Sequence, residues 1–141
     1  IRGSASATGY SGSASATGEY GSASATGEYG SASATGIRGS ASATGYSGSA
    51  SATGIRGSAS ATGEYGSASA TGWAGLAHAD GPESKALAEA GGALTLAEHR
   101  WNTKTRRFDL IGVFASLVGE NGIEAGKWYT LRGGQPVEVT K

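Results

Sequence analysis

Residues 1–18 read IRGSASATGYSGSASATG, one heptapeptide, GSASATG, written twice with only the two residues ahead of it changed. Six more copies follow. Nonapeptides beginning at Ile1, Tyr10, Glu19, Glu28, Ile37, Tyr46, Ile55 and Glu64 fill residues 1–72. A fixed short period marks a solenoid or fibre, in which each unit contacts only its neighbours. A flexible Gly/Ser linker has a similar composition, but it lacks the grammar found here. Ser4, Ser6 and Thr8 alternate with Ala5 and Ala7, the period of a strand with two unlike faces. Glycines of the Gly9 and Gly3 type bracket the two variable residues and suit a tight turn. Each nonapeptide therefore reads as a strand of five residues and a corner of four.

A buried hydroxyl without a partner costs about 1–3 kcal/mol, so alanine is expected to face inward and Ser/Thr outward. Two strands per coil give an 18-residue turn with two facing sheets. Three give a 27-residue triangle with sides of about 16 Å. Methyl groups cannot fill such a triangle, and an empty one is destabilising, whereas two alanine faces can close to a narrow seam. The expected fold is all-β, a two-sheeted β-solenoid. Its eight regular units make four coils, about 19 Å along the axis. Under this coil Glu19 lies between Ile1 and Ile37, Glu28 between Tyr10 and Tyr46, and Arg38 beside Arg56. Arg2, Tyr20, Arg38 and Arg56 line one edge, where Arg–Tyr stacking adds a little stability.

Past residue 72 the repeat decays. WAGLAHADG (73–81) keeps Ala77 and Ala79 but places Leu76 and His78 at serine positions. PESKALAEA (82–90) keeps Ala86 and Ala88, with Lys85, Leu87 and Glu89 outward. GGALTLAEH (91–99), counted in the same frame, turns Leu94 and Leu96 outward. A short helix near 84–90 competes with the strand on propensity. Residues 1–99 are read as the solenoid and 100–141 as a C-terminal β cap. Within the cap, 106–119 reads as one long strand or two short ones. KWYTLRGGQPVEVTK reads as a hairpin turning at Gly133–Gly134. Trp101, Phe108, Leu110, Ile111, Phe114, Leu117, Val118, Trp128, Tyr129 and Leu131 are expected to form a conventional core there.

The nonapeptide array followed by Trp128–Tyr129 and Val137–Glu138–Val139 resembles bacterial and phage-associated Ala/Ser-rich repeat proteins, with repeats of the form GxxSAxATG. The resemblance implies the solenoid and its cap, and no activity. The array is more loosely similar to the β-roll heads of trimeric autotransporter adhesins. Those have longer repeats richer in Val and Ile, and a coiled-coil stalk that this chain lacks.

Composition narrows the function. The 141 residues include 26 Gly, no Cys and no Met, with 11 basic and 11 acidic side chains. Balanced charge gives no global pull toward nucleic acid or an anionic membrane. Without Cys there is neither a disulfide framework nor a thiolate metal site, and no apolar run nears the roughly 20 residues of a membrane helix. The missing Met and the start at a repeat boundary suit a piece of a longer array. Calcium-binding nonapeptide rolls need Asp where Ser and Ala stand here. His78 and Asp80, two residues apart, share a strand face, yet interchangeable serines argue against a Ser–His–Asp centre. Glu98 and Asp109 show no acid–base pairing. Lys104, Arg106 and Arg107 form a small basic turn that is balanced by nearby acids.

The expectation is a non-enzymatic structural rod, with no cofactor, metal, nucleic-acid or membrane partner. Such a rod serves as a spacer or surface-display element of a phage or bacterial assembly, extracellular or virion-borne, and self-associates end to end or symmetrically. The alternative is a binding module for ice, glycan or protein. It would use the edge residues or the hydroxyl face of Ser4, Ser6, Thr8, Ser22, Ser24, Thr26, Ser40, Ser42 and Thr44.

Overall fold

The computed structural model describes residues 2–139. Eight identical SASAT strands come first: β1 (Ser4–Thr8), β2 (Ser13–Thr17), β3 (Ser22–Thr26), β4 (Ser31–Thr35), β5 (Ser40–Thr44), β6 (Ser49–Thr53), β7 (Ser58–Thr62) and β8 (Ser67–Thr71). Then follow β9 (Leu76–Asp80), β10 (Lys85–Ala88), β11 (Ala93–Asn102), β12 (Arg107–Leu117), β13 (Trp128–Arg132) and β14 (Gln135–Val139). The odd-numbered strands up to β11 stack in one sheet, which β12 completes, in the order β1-β3-β5-β7-β9-β11-β12, and the other sheet runs β14-β13-β10-β8-β6-β4-β2. The pairing is parallel and in register at eighteen residues, Ala41 beside Ala59 and Thr44 beside Thr62. This is the two-sheeted solenoid, with about five turns once the degenerate units are included.

The interior is a double column of alanines. Ala43, Ala52, Ala61 and Ala70 have no solvent exposure, and the serines and threonines between them look out. Facing strands such as β4 and β5 bring Cα atoms within 8 Å across the seam, closer than the ~10 Å of sheets with larger side chains. Close dispersion contact and an unbroken backbone ladder therefore replace the usual core of large residues.

At each corner the first glycine has positive φ, and the second variable residue also turns left-handed in later coils: Arg38 (φ 62°), Ser47, Arg56, Tyr65, Ala74 and Glu83. Sequence reasoning assigned that conformation to glycine alone. The strain is offset by hydrogen bonds up the stack. The Arg38 N–H donates to Ile55 O at 2.8 Å and the Ser47 N–H to Glu64 O at 2.8 Å, which satisfies corner groups that would otherwise be orphaned. The expected neighbour of Glu19 at Ile1 lies outside the described residues, as do Thr140 and Lys141 at the end of the cap.

The array changes at β10, and three expectations change with it. No helix forms at 84–90, because Lys85–Ala88 continues the ladder beside β8. β10 has four residues where the regular strands have five, and Glu89 takes the place of the corner glycine, accepting the Gly92 N–H. The step to β11 is thus seventeen residues, Ala93 beside Leu76 and Leu94 beside Ala77. Losing one residue from a period-2 strand exchanges its faces, so Leu94 and Leu96 point inward and are buried. Leu87 does face out, and Trp128 of β13 pairs opposite it.

The cap extends both sheets with antiparallel strands. Its buried core holds Leu94, Leu96, Ile123, Tyr129 and Leu131, with Phe114 and Val118 packed against it. Trp101, Phe108, Leu110, Ile111 and Leu117 are exposed instead. β11 and β12 form a long hairpin whose outer side is exposed among the described residues, and β11 crosses the expected boundary at residues 99 and 100. Residues 107–117 form one strand, and the β13–β14 hairpin turns at Gly133–Gly134, both at positive φ.

Glu98 ties the two sheets together, its carboxylate accepting the Gly133 and Gly134 N–H groups at 2.8 and 2.9 Å. Those two bonds hold its pKa below the usual carboxylate range. A lowered pKa in the folded state supplies stability above the unfolded value that is lost as pH falls through the folded one. Acidification below about pH 4 is therefore expected to release this turn. In an NMR titration the two glycine amides should shift together at acid pH, and Glu98→Gln should abolish the shift.

Candidate functional site

The solenoid offers three surfaces. The first is the outer face of the odd-strand sheet. Ser4, Ser22 and Ser40 form one row, Ser6, Ser24 and Ser42 a second, and Thr8, Thr26 and Thr44 a third, each residue beside its equivalent in the next coil. On the opposite sheet the Thr53 and Thr71 hydroxyls lie 3.3 Å apart, so neighbouring hydroxyls can bond along a row. On the odd-strand sheet the rows continue through β7 and then change character. Ser60 is followed by His78 and then Thr95, and Ser58 by Leu76, Ala93 and Leu117. The face is uniformly hydroxylated over four strands, mixed at β9 and β11, and largely apolar at β12, where Val113 is 75% and Leu110 59% exposed.

The corners make the second and third surfaces. On one edge the Arg2 and Arg38 guanidiniums sit over the Tyr20 ring, 5.9 and 5.8 Å from its centroid. Arg56 continues the edge, lining a groove of about 350 Å³ with Ile37, Ile55 and Trp73. The Arg–Tyr edge read from the sequence is therefore assembled, including the neighbouring Arg38 and Arg56.

The opposite edge carries a tyrosine ladder that sequence reasoning missed. Tyr10–Tyr29, Tyr29–Tyr46 and Tyr46–Tyr65 have ring centroids 5.3, 6.1 and 5.4 Å apart, tilted or edge-on, the preferred arrangement of aromatic pairs. Its signal was present in the alternation of YS and EY corners, which spaces the rings by 19, 17 and 19 residues. Partial desolvation raises the Tyr10 and Tyr46 phenol pKa values, helped by the Glu28 carboxylate and Tyr29 for the first, and by Tyr65, Glu64 and Glu28 for the second. The ladder is flanked by the Glu28 and Glu64 carboxylates.

Where the hydroxyl face meets the cap, a cleft of about 220 Å³ is lined by His78, Asp80, Thr95, Leu110, Val113 and Phe114 among others. His78 and Asp80 share the outer face of β9 as their spacing predicts. They do not act on one another. The His78 Nδ1 bonds to the Thr95 hydroxyl, whereas Asp80 faces His99 Nε2 at 3.8 Å, and the His99 Nδ1 is buried without a hydrogen-bond partner. A hydroxyl–imidazole–carboxylate relay needs both partners on one ring, and here they sit on two.

Glu98 is held by the Gly133–Gly134 turn. Asp109 accepts from Asn102 and lies 3.5 Å from Arg107, which neutralises part of the basic turn. Among the described residues no three His, Asp or Glu side chains converge on a metal site. No protein-family model, curated protein or solved structure matches the chain.

Proposed function

We propose that the chain is a non-enzymatic rod element, a spacer or surface-display segment of a phage or bacterial assembly in an extracellular or virion setting. One observation carries this reading. From β1 to β8 the wall of the coil is identical from turn to turn around a closed alanine interior, and variation there is confined to the corners. Such a stack is stiff and its length is set by repeat number. Excising residues 37–54, one whole coil, keeps every later pairing in register. That variant should unfold cooperatively and be shorter by about 4.8 Å in X-ray scattering. On a glycan array and in pull-downs a pure spacer retains nothing. Specific retention competed by the free sugar or peptide would replace the rod reading with that of a binding module.

The in-register hydroxyl rows from Ser4 to Thr44 support the module as a second reading, with ice among its candidate ligands. Absence of thermal hysteresis removes ice from that reading. Among the described residues β1 and β2 are outermost in their sheets, and the edge of an outermost strand is a template for addition of another strand. End-to-end self-association through them belongs to the rod reading, and light scattering that shows a monomer at every concentration removes it.

A further inference from the structure

We infer that two copies of this chain pack side by side, the Arg/Ile edge of one against the Tyr/Glu edge of the next. The two edges differ in charge. The first carries Arg2, Arg38 and Arg56 with Glu19, and the second carries Glu28, Glu64 and Glu83 and no basic corner residue. Both expose apolar surface, Ile37, Ile55 and Trp73 on one side and the tyrosine ladder on the other. The groove between Ile37, Arg38, Ile55 and Arg56 is open along the axis, and the Tyr20 ring between two guanidiniums shows inside one chain the contact that tyrosines of a second copy would make.

Spacing supports the match. Arg2 and Arg38 are 36 residues apart, and so are Glu28 and Glu64, two coils or about 9.6 Å in each case. Displacing a parallel neighbour by one coil sets Glu28 midway between the levels of Arg2 and Glu19, Glu64 midway between Arg38 and Arg56, and Glu83 between Arg56 and Ala74, each within about 2.4 Å of an arginine level. Without displacement Glu28 lies midway between the levels of Glu19 and Arg38, and Glu64 between Arg56 and the uncharged Trp73–Ala74 corner. Glu83 already pairs with Arg132 at 3.1 Å, so the two interior pairs are the principal ones. The same contact relieves the side-by-side Arg38 and Arg56. Because the two surfaces are different and lie on opposite edges, the contact is heterologous and repeats by translation, giving an open ribbon of rods.

The inference rests on the rod reading for its shared coil pitch, so the test separates the two. The cross-sectional radius in solution X-ray scattering reports side-by-side packing and ignores end-to-end growth. For the wild type this radius should increase with concentration at low salt and return to that of a single rod at about 0.5 M NaCl, where charges are screened within a few ångströms. Arg38→Glu with Arg56→Glu makes both edges acidic, and Glu28→Arg with Glu64→Arg makes both basic. Each protein alone should associate at least about tenfold more weakly, the scale of losing one or more charge pairs, and an equimolar mixture of the two should regain the packing. A wild-type radius that never changes, or swapped proteins that behave like the wild type, overturns the edge pairing. Unchanged strand circular dichroism keeps such a result from being one of misfolding, and loss of the elongated axis would instead overturn the rod.

Discussion

Gly45→Ala is expected to destabilise the protein by about 4 kcal/mol or more, the range reserved for strained or overfilled positions. Gly45 stands at a corner with φ of 133°, where a side chain costs on the order of 1–3 kcal/mol. The added methyl would also overlap the carbonyl oxygen of Gly27 one coil away. That corner cannot move aside. Its own N–H donates to Thr62 O of the next coil at 2.9 Å and its carbonyl accepts the Gly48 N–H of its own corner at 3.3 Å, so relief of the overlap would break a ladder bond and the turn bond together. Gly9→Ala is the control. Gly9 has the same backbone conformation (φ 142°) but nothing within 4 Å of a new methyl, so only the backbone penalty remains. Denaturant unfolding of both variants should show Gly45→Ala losing clearly more. Equal losses would mean that the coils are not stacked this closely.

Ala43→Leu is the second large effect. Ala43 has no exposure and faces the opposite alanine column across the narrow seam. Three more heavy atoms have no room without parting the sheets, and overpacking costs about 1–3 kcal/mol in ordinary cores. Here the cost should reach the top of that range or pass it, because parting one coil strains its neighbours on either side. The adjacent Ser42→Leu should change stability by less than about 0.5 kcal/mol, as surface substitutions do, since the same outward row already accommodates the larger His78. A thermal melt that ranks the two variants the other way would mean that the faces are inverted.

The contrast between Ala43 and Ser42 is also where the sequence was most legible. Alternating methyl and hydroxyl, a corner of fixed length and a period of nine leave few ways to stack. The narrowness that alanine demands then selects two sheets over three. The Arg2–Tyr20–Arg38 edge followed from the same count. The tyrosine ladder was equally present in the YS and EY corners. It was missed because its rings alternate between the first and second corner position, which hides an eighteen-residue column behind spacings of 19 and 17.

The first two degenerate units kept the faces expected of them, but the third was not legible, because its outcome depends on a count that only pairing can establish. With β10 one residue short, Leu94 and Leu96 move from water to the core, and nothing local in GGALTLAEH announces it. The cap core escaped for a related reason. Hydrophobicity names Trp101, Leu110 and Leu117 as readily as Leu131, but only the arrangement of β12 and β13 decides which of them acquire a covering layer. Likewise His78 and Asp80 were rightly placed on one face, yet the long strand β11 supplied each with a different partner, Thr95 and His99. Periodicity thus determined the coil, its faces and its edges, since each depends on neighbours a constant distance away in the chain. Tertiary structure decided the register beyond residue 90, the composition of the cap core and the pairing in the cleft. Those depend on contacts whose sequence separation no repeat specifies.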